Sequence, residues 1–133
     1  MKNSIYTIVV FAIVMISSLQ LTAQEFKRLD KSPMDMASFP SSYKISNKVA
    51  RVIYSRPQLK GRDLFELAPP NKIWRTGANE AAEITFYRDV VFGDKPLKAG
   101  TYSLFTMPSK DGDWTIIINS ARNVWGSYYY KKD

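Results

Sequence analysis

Leu97-Lys98-Ala99-Gly100-Thr101-Tyr102-Ser103-Leu104-Phe105-Thr106-Met107-Pro108 is the stretch that decides the fold. The Leu…Gly-x-Tyr spacing at its start is that of a tyrosine corner. There a tyrosine hydroxyl bonds back to the backbone of the preceding arch in Greek-key sandwiches. Gly100 supplies the bend and Tyr102 the latch, so both are assigned to architecture rather than chemistry. Thr101 to Met107 then reads as a strand, and Pro108 ends it because proline brings no amide to the ladder.

Downstream, Lys110-Asp111-Gly112-Asp113 reads as a hairpin turn, since Asp-Gly tolerates positive φ. Trp114-Thr115-Ile116-Ile117-Ile118-Asn119 is the return strand. It is apolar on both faces, which predicts a central, well-covered position. Upstream, Ala82, Ile84 and Phe86 alternate with Glu83, Thr85 and Tyr87, the period of a strand with one face buried. Val90-Val91-Phe92 is a further short strand, and Gly93-Asp94-Lys95-Pro96 turns the chain. Tyr43-Lys44-Ile45 and Val49 to Tyr54 are rich in β-branched and aromatic residues and also read as strand. Between 57 and 72, Pro57, Gly61, Pro69, Pro70 and Asn71 mark loop, with one helical turn at Asp63–Leu67. Val124 to Tyr130 reads as an edge or bend. Short strands separated by turn signals, with no long helix, predict an all-β, antiparallel, Greek-key-like β-sandwich over residues 43–133. Either this sandwich is small, or its C-terminal edge is incomplete.

The first 23 residues read as an address. Lys2 precedes an apolar run from Ile5 to Ile16, followed by Ser17, Ser18 and Leu21-Thr22-Ala23, with a small residue where a signal peptidase cuts. The run is shorter than the roughly 17–25 residues that span a bilayer. The expectation is a cleaved secretory leader, a periplasmic or extracellular protein, and no stable membrane span afterwards. Without cysteine there is no lipid attachment point, which excludes a bacterial lipoprotein. Residues 24–42, with Pro33, Pro40 and several serines, read as a linker or N-terminal edge segment.

The absences narrow the chemistry. In 133 residues there is no His and no Cys. That excludes a Ser-His-Asp triad, a Cys nucleophile, a Cys/His zinc site and a disulfide. Asp111-Gly112-Asp113 falls well short of the roughly six to eight oxygens a calcium ion takes. No metal or cofactor is expected. The net charge of +7 comes from singly scattered Lys and Arg, paired only at Lys27-Arg28 and Lys131-Lys132. No block reads as a nucleic-acid tail, and no nucleic-acid partner is expected.

The polar run Arg75-Thr76-Gly77-Ala78-Asn79-Glu80, entered from Trp74, is the most unusual feature. Gly77 permits a tight turn. One reading is a binding site in which Arg75 grips an anionic group, Trp74 stacks on a ring, and Asn79 and Glu80 take hydroxyls. The other is a satisfied network pinning a loop, with Glu80 paired to Arg75 or Arg56. Glu80 and Glu83, if both lie on one strand, face opposite ways and do not form a carboxylate pair. Trp125 and Tyr128-Tyr129-Tyr130 suit either a sugar-stacking platform or a half-buried edge strand.

Several segments carry a family resemblance: Tyr54-Ser55-Arg56-Pro57, Lys60-Gly61-Arg62, Ile73 to Glu80, Leu97 to Phe105, Trp114 to Asn119 and Trp125-Gly126. In this order and spacing they resemble the bacterial domain of unknown function 2911. The resemblance implies an exported, β-rich protein of uncharacterised activity, in a family whose chains usually continue past the Trp125-Gly126 segment. It carries no catalytic residues. Arg56, Arg62, Trp74, Arg75, Asn79 and Glu80 are where a site is to be sought. The expected function is a non-catalytic binding or structural module of the bacterial cell envelope, with an anionic or polyhydroxylated envelope ligand. The rival is a carboxylate-dependent hydrolase using Glu80 as general base and Arg75 as substrate clamp.

Overall fold

The computed structural model describes Tyr6, Phe26 and residues 28–127. The leader (Tyr6 apart) and Tyr128-Tyr129-Tyr130 lie outside the described residues. Seven strands and one helical turn follow in order: β1 (Met34–Phe39), β2 (Ala50–Ser55), α1 (Leu64–Leu67), β3 (Ala82–Phe86), β4 (Val90–Phe92), β5 (Lys95–Leu97), β6 (Gly100–Met107) and β7 (Thr115–Asn119). Five of them form one sheet in the order β1-β2-β3-β6-β7, and β4 and β5 form a separate two-stranded sheet. Every pairing is antiparallel. The fold is all-β and sandwich-like, as the strand spacing predicts. Among the described residues no helix is long and apolar enough to cross a membrane.

The register assigns the faces. Ile84 of β3 lies opposite Val52 of β2 and Tyr102 of β6, and cross-strand partners share a face. On this face Phe86 meets Tyr102 at 6.2 Å and Phe92 of the β4–β5 hairpin at 6.1 Å, ring centre to ring centre. The hairpin therefore covers part of it. On the opposite face, Phe105 is fully buried among Ala81, Val124, Ile73, Ile117 and Ala121. That cover is the irregular chain after β7, which folds back across the sheet.

The tyrosine corner forms as the spacing predicts. The Tyr102 hydroxyl donates to the Lys98 carbonyl at 3.0 Å. Gly100 sits under the Tyr102 ring, where an added Cβ would already lie 3.7 Å from it. Asp63 caps α1, accepting the Phe65 amide at 2.8 Å.

Two expectations are corrected, and the linker-or-edge reading of 24–42 is narrowed to an edge strand. Tyr43-Lys44-Ile45 is no strand but an exposed turn: the Ser42 hydroxyl accepts the Lys44 amide and the Ser42 carbonyl the Ile45 amide. The serine turn overrides the β-forming composition. Within 24–42, Met34–Phe39 is an ordered edge strand paired along its whole length with β2. And β7 is not central, since it pairs with β6 alone. Both its faces are apolar for another reason. Ile117 enters the Phe105 cluster, while Ile116 and Ile118 border a cavity of about 440 Å³ shared with Phe92 and Leu97 of the hairpin.

Candidate functional site

The run that stood out in the sequence is an excursion within the line of a strand. Trp74 pairs with Thr106 of β6 through both backbone bonds, at 2.7 and 2.9 Å. Ala82, where β3 begins, donates its amide to the Arg75 carbonyl at 3.0 Å. The chain leaves the sheet after Arg75, makes a loop over Thr76–Ala81, and re-enters beside its own exit.

Three backbone bonds pin this loop, one to the end of β2 and two to the segment after β7. Ala78 donates to the Ser55 carbonyl at the end of β2 (3.1 Å), and Ala81 donates to the Val124 carbonyl (3.0 Å). Gly126 donates to the Asn79 carbonyl (3.2 Å). The closeness to β2 explains Gly77: a Cβ there would lie 3.1 Å from the Ser55 carbonyl oxygen. Thr76 and Asn79 hold φ of 56° and 61°, a region asparagine tolerates better than most residues. The Thr76 hydroxyl bonds that of Thr106 at 3.2 Å. The Ser32 amide, and after it the Asn79 side chain, hold the exposed Asp30 carboxyl below its usual value.

The six candidate residues have separate employments. Arg56 pairs with Asp35 of β1, Nε to Oδ2 at 2.9 Å. Arg62 folds back on its own loop, donating to the Leu59 carbonyl at 2.9 Å and the Gln58 carbonyl at 2.8 Å. Trp74 meets Trp114 edge to face, 6.3 Å between ring centres. Arg75 has a buried Nε without a hydrogen-bond partner among the described residues. No ion pair joins Glu80 to Arg75 or Arg56 among the described residues, and Glu80 is exposed. The network pinned by Glu80 is therefore replaced by one pinned through main-chain bonds.

A pocket of about 200 Å³ opens next to the loop, lined by Met34, Ile53, Tyr54, Ser55, Glu80, Ala81, Glu83 and Asn123. Of the six candidates it takes only Glu80. It brings in Glu83, whose Oε1 accepts the Asn123 amide at 3.1 Å. Glu80 and Glu83 share this pocket because Glu80 precedes the strand, so the alternation that would separate them does not start until Ala82. Asn79, a residue at home in left-handed turns, is the sequence signal for that break. Asn123 carried no signal: its place depends on the return of the chain after β7. Among the described residues no group of side chains is arranged to hold a metal ion.

Trp125, which does not line the pocket, is tied to Glu80 through the backbone. Glu80 and Trp125 form an antiparallel bridge, so their side chains leave the same side of it. Their neighbours Ala81 and Val124 point together into the core, at 7% and 9% exposure, and Trp125 is 56% exposed.

Comparison with known proteins bears on the family alone. No curated protein and no solved structure matches the chain. A family model described as "Protein of unknown function (DUF2911)" matches residues 32–133. That span holds every strand and the whole of the pocket, and the chain belongs to this family.

Proposed function

We propose that the protein is an exported, non-catalytic binding module of the cell envelope, and that it holds a polyhydroxylated ligand in the pocket between Glu80 and Glu83. The observation that carries this reading is the lining. Two carboxylates and Asn123 stand against an apolar wall of Met34, Ile53 and Ala81. Apolar pockets with a few placed polar groups are the usual form of small-ligand sites. Carboxylates accept hydrogen bonds from hydroxyls and repel anions. The anionic ligand considered from the sequence rested on Arg56, Arg62 and Arg75. Arg56 is spent on Asp35, Arg62 on its own loop, and none of the three lines the pocket.

The same lining favours one rival. Two carboxylates in one pocket is the arrangement a carboxylate-dependent hydrolase needs, with Glu80, the exposed member, as general base. Arg75 is absent from the pocket lining, so this version lacks the clamp expected from the sequence.

Retention on immobilised neutral envelope polysaccharide, with release of reducing ends measured in parallel, separates the two. The binding module is retained, releases nothing, and loses retention in Glu83→Ala. Turnover that disappears in Glu80→Gln would establish the hydrolase instead. No retention and no turnover would remove both.

A further inference from the structure

We infer that the pocket is a single-ring subsite for a neutral sugar, with Trp125 as the platform on which the ring stacks. This names the ligand class for the site proposed above and rests on that reading.

Size comes first. A cavity of about 200 Å³ is smaller than the roughly 300–1,000 Å³ of pockets for drug-sized ligands. A volume of that size suits a single ring, such as the end residue of a glycan.

The walls match that ring in kind. A pyranose has an apolar face of C–H groups and an edge of hydroxyls. Met34, Ile53 and Ala81 offer apolar contact, and Glu80 and Glu83 offer acceptors. Glu83 is held in place by the Asn123 amide. Glu80 has no ion pair or hydrogen bond through its carboxylate among the described residues, so its acceptor capacity is open to a ligand hydroxyl.

Trp125 supplies the second half. Trp125 does not line the pocket itself; the bridge to Glu80 sets it at the rim, where more than half of it is left in water, and exposed aromatic surface next to convergent polar groups marks binding sites. Its position is fixed by main-chain bonds on both sides of the Glu80–Trp125 bridge: Ala81 to Val124 at 3.0 Å and Gly126 to Asn79 at 3.2 Å. Bridged residues carry their Cβ atoms roughly 4.5–5.5 Å apart. That distance lets one ring lie on the indole face while a hydroxyl on its edge reaches the Glu80 carboxylate. The negative face of the indole attracts the slightly positive C–H groups of a sugar. The two carboxylates set the charge of the ligand by repelling acidic sugars.

The test uses the full chain and three sugar probes of different charge: methyl β-glucoside (neutral), glucosamine (cationic) and glucuronate (anionic). Backbone and indole N–H shifts are followed by NMR. The expected result is saturable movement of the Asn123 amide and the Trp125 indole with the glucoside, a dissociation constant in the millimolar range, and no movement with glucuronate. Trp125→Ala should weaken the glucoside at least tenfold, while Trp125→Phe, which keeps an aromatic face, should stay within about threefold of the parent. The Thr106 amide shift reports that each variant is folded. Movement of Asn123 with glucosamine alone would overturn the neutral sugar and leave the pocket as a ligand site. Glucoside binding undiminished in Trp125→Ala would overturn the platform. Silence of Asn123 toward all three probes would overturn both this inference and the reading beneath it.

Discussion

Two glycine-bearing bends hold this protein together in opposite ways. The Leu97–Tyr102 arch is closed by side chains: the Tyr102 hydroxyl on the Lys98 carbonyl, and Asp89, which accepts the Ala99 amide at 2.9 Å and the Lys98 ammonium at 2.7 Å. The Thr76–Ala81 loop is closed by main chain, through bonds to Ser55, Val124 and Gly126. The arch joins the hairpin to β6 and touches no pocket that includes the glutamates. The loop sets the place of Glu80 and, through the bridge, of Trp125. A site placed by backbone bonds from two distant parts of the chain, the end of β2 and the segment after β7, has its geometry set by the fold. The Glu80 carboxylate is then left available for a ligand.

Substitutions that add or remove one group should separate the two bends. The largest effect is expected at Gly77. Gly77→Val places a branched side chain against the Ser55 carbonyl, where even a Cβ would lie 3.1 Å away. It should cost about 1–3 kcal/mol in urea unfolding, the range for overpacking. A cost below about 0.5 kcal/mol would mean the loop is not clamped against β2. Asn79→Ala comes next, because φ of 61° is strained for alanine. About 1 kcal/mol is expected.

Tyr102→Phe removes only the latch bond. The hydroxyl is exposed, so water replaces it in part, and a loss of about 0.5 kcal/mol is expected. Phe86 and Phe92 remain packed around the ring. Equal losses at Gly77 and Tyr102 would erase the distinction between the bends.

The smallest effect is electrostatic. The Lys98 side chain, and then the Ala99 amide, hold the Asp89 carboxyl below its ordinary 3.8, and Asp89 raises Lys98 above its ordinary 10.5. Because the folded value of Asp89 is the lower one, its contribution is present above pH 3.8. It fades as pH falls through the depressed value. The Lys98 contribution is present below its ordinary value and fades as pH rises through the raised one. The melting difference between the parent and Asp89→Asn should therefore shrink in acid. Both groups are fully exposed, and the difference should also shrink in salt.

The arch was legible in the sequence because its bend, its latch and the carbonyl the latch bonds lie within six consecutive residues; the Asp89 brace, eight residues upstream of Leu97, was not. The alternation of Ala82, Ile84 and Phe86 was legible for the same reason. The loop was visible only as an odd composition. Its form depends on Ser55, Thr106 and Val124, which are brought together by strand pairing and not by sequence proximity. That is also why the sequence carries no sign that Glu83 and Asn123 share a pocket with Glu80, a pocket that Arg56 and Arg62 do not line. The edge position of β7 was hidden because its isoleucines serve different ends: Ile117 packs into the Phe105 cluster, while Ile116 and Ile118 line an open cavity facing the hairpin and Ile116 is 54% exposed. β1 was hidden because Met-Asp-Met-Ala-Ser-Phe has a weak β-forming composition and gains its order from pairing with β2.

Amide hydrogen exchange in the native protein tests the central claim without any ligand. If the loop is held by main-chain bonds, the amides of Ala78, Ala81 and Ala82 should exchange within about tenfold of the Thr106 amide in β6. Exchange at the rate of Gly112, in the exposed connection between β6 and β7, would contradict it, and with it the fixed placement of Glu80 beside Trp125.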